Sequence, residues 1–291
     1  MSRTLFSGLI ALSGLALLGA TSSAKAIAIR IAPVPERVAT ADGIVFGKVT
    51  SIEAKTVEAT PYPEAKDKVE YYVAVVKVEE GFGPAKGEKE FKVAYQAPPP
   101  AGGGGGPIRP GRGFGPPKLE VEQEGCFFLT KHHDGKFYYI QNAGSVINKK
   151  DNPNYEKQTE MAKKSAKVLA DAKANLKAKD AETRALAAEL LLIRHTTPKP
   201  GETKQEPIDA EESKLILQGL ADGDWSKQGF SDLEISPNMT FYRLNAQPKD
   251  GWNPAGLKTP NEIADAAKKW LKDNADKFRV QHYVSEKKSE K

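Results

Sequence analysis

The chain has 291 residues, with 43 basic and 38 acidic side chains, a formal charge of +5 and one cysteine. Lys and Glu are interleaved along most of it, giving a mixed-charge solvated surface without the clustered basic face that nucleic acid needs, so no nucleic-acid partner is expected. One cysteine excludes an internal disulfide and leaves the fold to rest on apolar cores, which a chain of this length can build.

Met1–Thr4 carries one positive charge, Arg3, and Leu5–Leu18 is uncharged and mostly apolar. Ala24-Lys25-Ala26 then sets small residues at the two positions a signal peptidase reads. These three parts predict a secretory signal over residues 1–26, cleaved after Ala26, and a secreted or periplasmic address. The apolar run is shorter than the about 20 residues of a membrane span, and no other uncharged stretch approaches that length. No membrane span is therefore expected in the mature chain. No cysteine adjoins the cleavage point to carry a lipid anchor.

From Ala41 the pattern has period two, the signature of strands. Gly43–Ile52 is rich in β-branched residues, and Gly47 in its middle predicts a bulge, a sharp bend or a close backbone neighbour. Val69–Glu80 is the longest strand candidate, and Glu90–Gln96 alternates cleanly through Phe91, Val93 and Tyr95. Cys126–Lys131 and Lys136–Ile140 flank Asp134-Gly135, a hairpin signal because such turns need positive φ. Cys126 lies in an apolar run and is expected to be buried and inert. His132 and His133 are adjacent, so strand geometry would send them to opposite faces and away from a shared metal. Fifteen of the 21 residues in Ala97–Pro117 are Gly or Pro, which predicts a disordered loop inside this part of the chain.

Ala41-Asp42-Gly43-Ile44-Val45-Phe46-Gly47-Lys48-Val49 resembles the opening strand of netrin-like and tissue-inhibitor-of-metalloproteinase-like domains. Tyr71–Val78 and Gly125-Cys126-Phe127-Phe128-Leu129 fall where that pattern continues. The resemblance spans roughly Ala41–Ile147 and implies an oligonucleotide/oligosaccharide-binding-type (OB) barrel. The inhibitor subfamily chelates its target's zinc through an N-terminal cysteine. The expected mature start, Ile27-Ala28, has none, so the resemblance implies the fold without that activity.

Asn152-Pro153-Asn154 ends the strand region, and helical spacing follows. One amphipathic helix is expected over Tyr155–Lys177, and a second over Ala181–His195, capped by Asp180. A capping box at Asp209 and Glu212 opens a third, to about Ala221, and Thr259, Pro260 and Glu262 open a fourth. Thr196–Pro207, with three prolines, reads as the end of the second helix. Asp222-Gly223-Asp224 reads as a turn before Trp225, having too few ordered oxygens for a calcium loop. Phe278, Val280 and Tyr283 alternate as a short closing strand. Asp180–His195 resembles the first helix of HEAT-type repeats, without the period a solenoid requires.

The expected fold class is therefore α+β: a small antiparallel β-barrel of about five strands over 27–150, an irregular domain of about four helices over 151–284, and a charged tail at 285–291. The H-E-x-x-H, P-loop and G-x-S-x-G motifs are absent, and no cofactor or metal is expected. In pattern the chain resembles exported bacterial proteins more than any enzyme family. The leading expectation is a non-catalytic binding or interaction protein whose partner is an envelope protein or a polysaccharide. Its candidate surface is the barrel face bearing Tyr71, Tyr95, Phe137 and Tyr139, since aromatic side chains favour sugar and protein contacts, although half of them could equally be core. Trp225 and Trp252, in the weakly periodic stretch Gly223–Leu257, are a second candidate, against the alternative of a packed cover over the helices. A hydrolase using dispersed carboxylates and a peptidase-inhibitor-like module with a free N-terminal wedge are the alternatives.

Overall fold

The computed structural model describes residues 31–96, 117–150, 152–227 and 231–285. The expected signal over 1–26, nearly all of the Gly/Pro-rich segment and the tail beyond Ser285 lie outside the described residues.

Seven strands form the first sheet: β1 (Gly43–Ile52), β2 (Val57–Ala59), β3 (Val69–Phe82), β4 (Glu90–Gln96), β5 (Glu124–Lys131), β6 (Tyr138–Ile140) and β7 (Val146–Asn148). Five of them close a ring in the order β1-β3-β4-β6-β5, with β1 paired to both β3 and β5. β2 is added on β3 and β7 on β5, outside the ring. The order is compatible with an OB-like barrel. The barrel is mixed, not antiparallel throughout: β4 and β6 run parallel, with Ala94 opposite Tyr139 and Tyr95 opposite Ile140. The reason is parity. An odd number of strands cannot alternate direction around a closed ring, so one pairing must be parallel, and it falls where the β5–β6 hairpin meets β4.

The register of β1 on β3 slips between Phe46 and Gly47 and again between Val49 and Ser51. A Cβ at Gly47 would collide with the carbonyl oxygen of Lys77, so the mid-strand glycine marks a bulge and a close backbone approach, as the sequence predicts. Val45, Val49, Val76, Val93, Phe127 and Leu129 fill the interior. The other face of β1 and β5 is also covered. Ile44, Phe46, Cys126 and Phe128 pack against α1 (Val34–Thr40) and α2 (Tyr155–Ala170).

α1 has no counterpart among the expected elements. It is only seven residues long, with Pro35 in its first turn, and shows too few turns for a helical period to register. Val34 and Val38 face the barrel, and Ala39 joins the helical core on the other side. The single helix expected over Tyr155–Lys177 breaks at Asp171, giving α2 and a short α3 (Ala172–Asn175). Asn175 Nδ2 donates to the Val168 carbonyl oxygen at 2.9 Å, satisfying one of the carbonyls freed at the break.

α4 (Ala181–Thr196) and α5 (Ala210–Asp222) are the central pair of the helical core. Asp180 caps α4 through the Thr183 N–H, and Asp209 caps α5 through the Glu211 and Glu212 N–H groups. The second half of the expected box at Asp209 does not form, because Glu212 turns to His195 Nε2 at 3.0 Å. α6 (Pro237–Phe241) is one short turn of helix, and α7 (Pro260–Asn274) carries the full Thr259–Glu262 box. β8 (Glu202–Pro207) and β9 (Gln281–Ser285) make a two-stranded ribbon. β9 realises the expected closing strand in part, since Tyr283 lies in it while Phe278 and Val280 precede it; β8 is new and is half-exposed or exposed throughout. Seven α-helices among the described residues exceed the expected four by the short ones, α1, α3 and α6. The described residues from Ile31 to Ser285 belong to one compact unit.

Candidate functional site

The candidate site is a cleft of about 420 Å³ where α1, the ends of β5 and β6, and the segment after α4 meet. Four cations line it, Arg37, Lys131, Arg194 and Lys199, against two carboxylates, Asp42 and Glu202.

Asp42 is already engaged. Its carboxylate accepts from the Lys131 backbone N–H at 2.8 Å and from Lys199 Nζ at 2.5 Å. Arg37 and Arg194 are different. Arg37 projects from α1 with its guanidinium 5.2 Å from the centroid of Phe128, and its Nη1 donates to the Gly144 carbonyl oxygen at 3.1 Å. Its Nε is buried without a hydrogen-bond partner among the described residues. Arg194, in the last turn of α4, donates from Nε to the Ala39 carbonyl oxygen at 3.2 Å. Burial lowers the pKa of both guanidiniums from a very high starting value, so both keep their charge. Among the described residues neither arginine forms a carboxylate ion pair, and the acids whose charges act on them, Asp232 on Arg37 and Asp42 on Arg194, do so without a direct bridge. Two partly desolvated cations therefore face the cleft with donor capacity to spare, the arrangement that receives an anion.

Beside the cleft lies a histidine cluster. His132 is 2% exposed, yet both ring nitrogens face acceptors: Nε2 the Thr60 carbonyl oxygen at 3.0 Å, Nδ1 the Asp134 carboxylate at 2.8 Å. Burial raises the Asp134 carboxyl, but the Lys136 N–H and His132 outweigh it and hold the group below its ordinary range. His133 Nε2 lies 3.1 Å from Thr60 Oγ1. The two rings are 4.1 Å apart on one side of the chain, not on opposite faces. β5 ends at Lys131, so strand alternation does not reach them. Among the described residues no group of three His, Cys, Asp or Glu side chains is placed to hold a metal ion.

Tyr71, Phe137 and Tyr139 are brought together around His132. Tyr71 lies 5.1 Å from Phe137 and 5.8 Å from Tyr139, and the Phe137 ring stacks on His132 at 4.3 Å. Tyr71 is buried, while Phe137 and Tyr139 are half-buried. Tyr95 does not share this face. In the register of β3 on β4 it sits opposite Tyr72, not Tyr71, and it stacks on Tyr72 at 5.7 Å against the barrel interior. Trp225 and Trp252 are buried in the helical core around Phe241, and Trp225 Nε1 donates to the Leu220 carbonyl oxygen at 3.0 Å. The aromatic candidates thus divide between a cage about His132, the barrel interior and the helical core. Arg37 and Arg194 were not among the expected site residues. They are 157 positions apart, and nothing in the local pattern of either pairs it with the other.

The fold and cleft define a class: an α+β protein in which a closed five-strand mixed barrel and a layer of helices share a cationic groove. No protein-family model matches the chain, and no curated protein matches it.

Proposed function

We propose that this is a non-catalytic binding protein whose cleft takes an anionic ligand, and that the ligand is a carboxylate-bearing stretch of an envelope polysaccharide. The observation that carries this reading is the pair Arg37 and Arg194, partly buried, charged and without a direct carboxylate ion pair among the described residues. The planar fork of arginine suits a carboxylate, and the hairpin beside the cleft carries the half-buried aromatic rings of Phe137 and Tyr139, a side-chain type that favours sugar contacts. The envelope enters through the secretory signal read in residues 1–26. Thr60 and His133 resemble a nucleophile and its base, but the carboxylate that would orient such a base, Asp134, is bonded to His132 instead. That division favours binding over hydrolysis.

Calorimetric titration with oligogalacturonate, with neutral dextran oligomers as the comparison, tests the reading. Binding of the acidic oligomer that weakens with salt, and that is lost in the Arg37→Gln/Arg194→Gln double variant and reduced in the surface variant Lys199→Gln, is expected. Equal binding of dextran, or acidic binding that survives the double variant, overturns it.

A further inference from the structure

A second cavity, of about 310 Å³, opens where α1, α2, α4 and the segment after α5 converge. Five carboxylates line it, Glu182, Glu189, Asp222, Asp224 and Glu234, against two lysines, Lys164 and Lys227. Four of the acids are engaged. Glu182 holds Lys164 at 2.5 Å, Glu234 holds Lys227 at 3.0 Å, and Asp222 holds Arg184 at 2.6 Å. Asp224 accepts from Ser226 Oγ at 2.6 Å. Both lysines are therefore already committed.

Glu189 is the exception. It sits in the middle of α4 at 6% exposure and lines the cavity, yet among the described residues its carboxyl has neither a hydrogen-bond nor an ion-pair partner. Apolar groups, Met161, Leu186, Leu233, Ile235 and Pro237, make up much of the remaining wall.

We propose that this cavity is a binding site for an alkylammonium group, which places its charged nitrogen on the Glu189 carboxylate and its carbon stem on the surrounding apolar wall. With Glu182, Glu234 and Asp222 each paired to a base, the carboxylates left without one are Glu189 and Asp224, so a cation is the favoured guest. The apolar wall selects a stem over a bare metal ion, and the described residues offer no metal-binding cluster. Burial pushes the empty Glu189 carboxyl up to about 8, with the Glu234 charge adding to the rise and Lys227 opposing it. Near neutral pH the empty site therefore holds a proton, which an entering ammonium displaces to solvent. A free amine and a lysine side chain share this chemistry.

Titration calorimetry of the full chain with n-butylamine at pH 7, repeated in two buffers of different ionisation enthalpy, reads both affinity and proton release. Butylamine is expected to bind with release of close to one proton, n-butanol and n-butyrate to give no binding, and Glu189→Gln to weaken butylamine by about tenfold or more and abolish the proton release. Glutamine mimics the protonated carboxyl, so that variant should fold. Leu186→Phe, which narrows the cavity and keeps the acid, should also weaken binding. A capped Ala-Ala-Lys-Ala-Ala peptide separates the sources: tighter binding than butylamine assigns the site to a lysine of a protein partner, and weaker binding assigns it to a small amine. Absence of butylamine binding, equal binding of n-butanol, or unchanged binding in Glu189→Gln overturns the proposal.

Discussion

Arg194, in the last turn of α4, donates from Nε to the carbonyl oxygen of Ala39 at 3.2 Å, tying the helical core to the helix that lies against the barrel wall. The acceptor sits in the last turn of α1, where carbonyls lack intrahelical partners, so the guanidinium supplies a bond that the helix cannot make for itself. Removing a charged donor from such a carbonyl costs about 1–3 kcal/mol. Arg194→Met should lower the melting temperature by about 2–4 °C for each kcal/mol lost, read by circular dichroism, and an unchanged melting temperature would refute the tie.

Glu189 predicts a dependence of stability on pH. Its folded carboxyl titrates near 8, against an ordinary 4.5 in the unfolded chain. Between those values the folded state holds the extra proton, so stability is fully present below about 4.5 and falls as pH rises through 8. The loss is on the order of a few kcal/mol. Urea unfolding should show Glu189→Gln more stable than the parent at pH 8.5, with the gap closing at pH 4. A constant gap across that range would contradict the assignment.

His195 tilts the other way. Burial lowers its pKa, and the bond to Glu212 only partly offsets this. The unfolded chain therefore takes up its proton first, and this contribution to stability is lost as pH falls through 6.5. In the Glu189→Gln background, with the opposing slope removed, stability should rise between pH 5 and 7. His195→Gln should flatten that rise in the same urea measurement.

Gly47 admits no side chain against the Lys77 carbonyl. Gly47→Ala should destabilise by about 1–3 kcal/mol through overpacking at the bulge. An alanine variant within a few tenths of a kcal/mol of the parent would mean that β1 shifts freely on β3.

Cys126 is fully buried, and burial pushes its thiol well above the ordinary range. The native protein should resist maleimide labelling at pH 7.5 and label fully in urea, followed by mass spectrometry. Rapid native labelling would show that the wall beneath α1 and α2 opens.

The five strands of the ring were legible because each carries its own alternation, whereas the three-residue β2 and β7 are too short to show one, and the caps at Asp180, Asp209 and Thr259 were legible because capping is local. The misses share a cause: they depend on partners far along the chain. Glu202–Pro207 has no apolar rhythm, and its strand exists through backbone pairing to Gln281–Ser285. The split of Tyr71 from Tyr95 follows from an inter-strand register that neither strand encodes alone. The Arg37 and Arg194 cleft depends on α1 packing beside α4, which no local pattern reveals. Strand parity was different. A closed ring of five strands requires a parallel pair whatever its residues, and counting strands would have shown it.

That ring also sets an order of events for a growing chain. β1 is flanked by β3, which emerges soon after it, and by β5, which cannot reach it until Glu124–Lys131 has been synthesised. Until then a nascent chain carries Gly43–Lys48 with one open edge, an invitation to pair with the wrong neighbour.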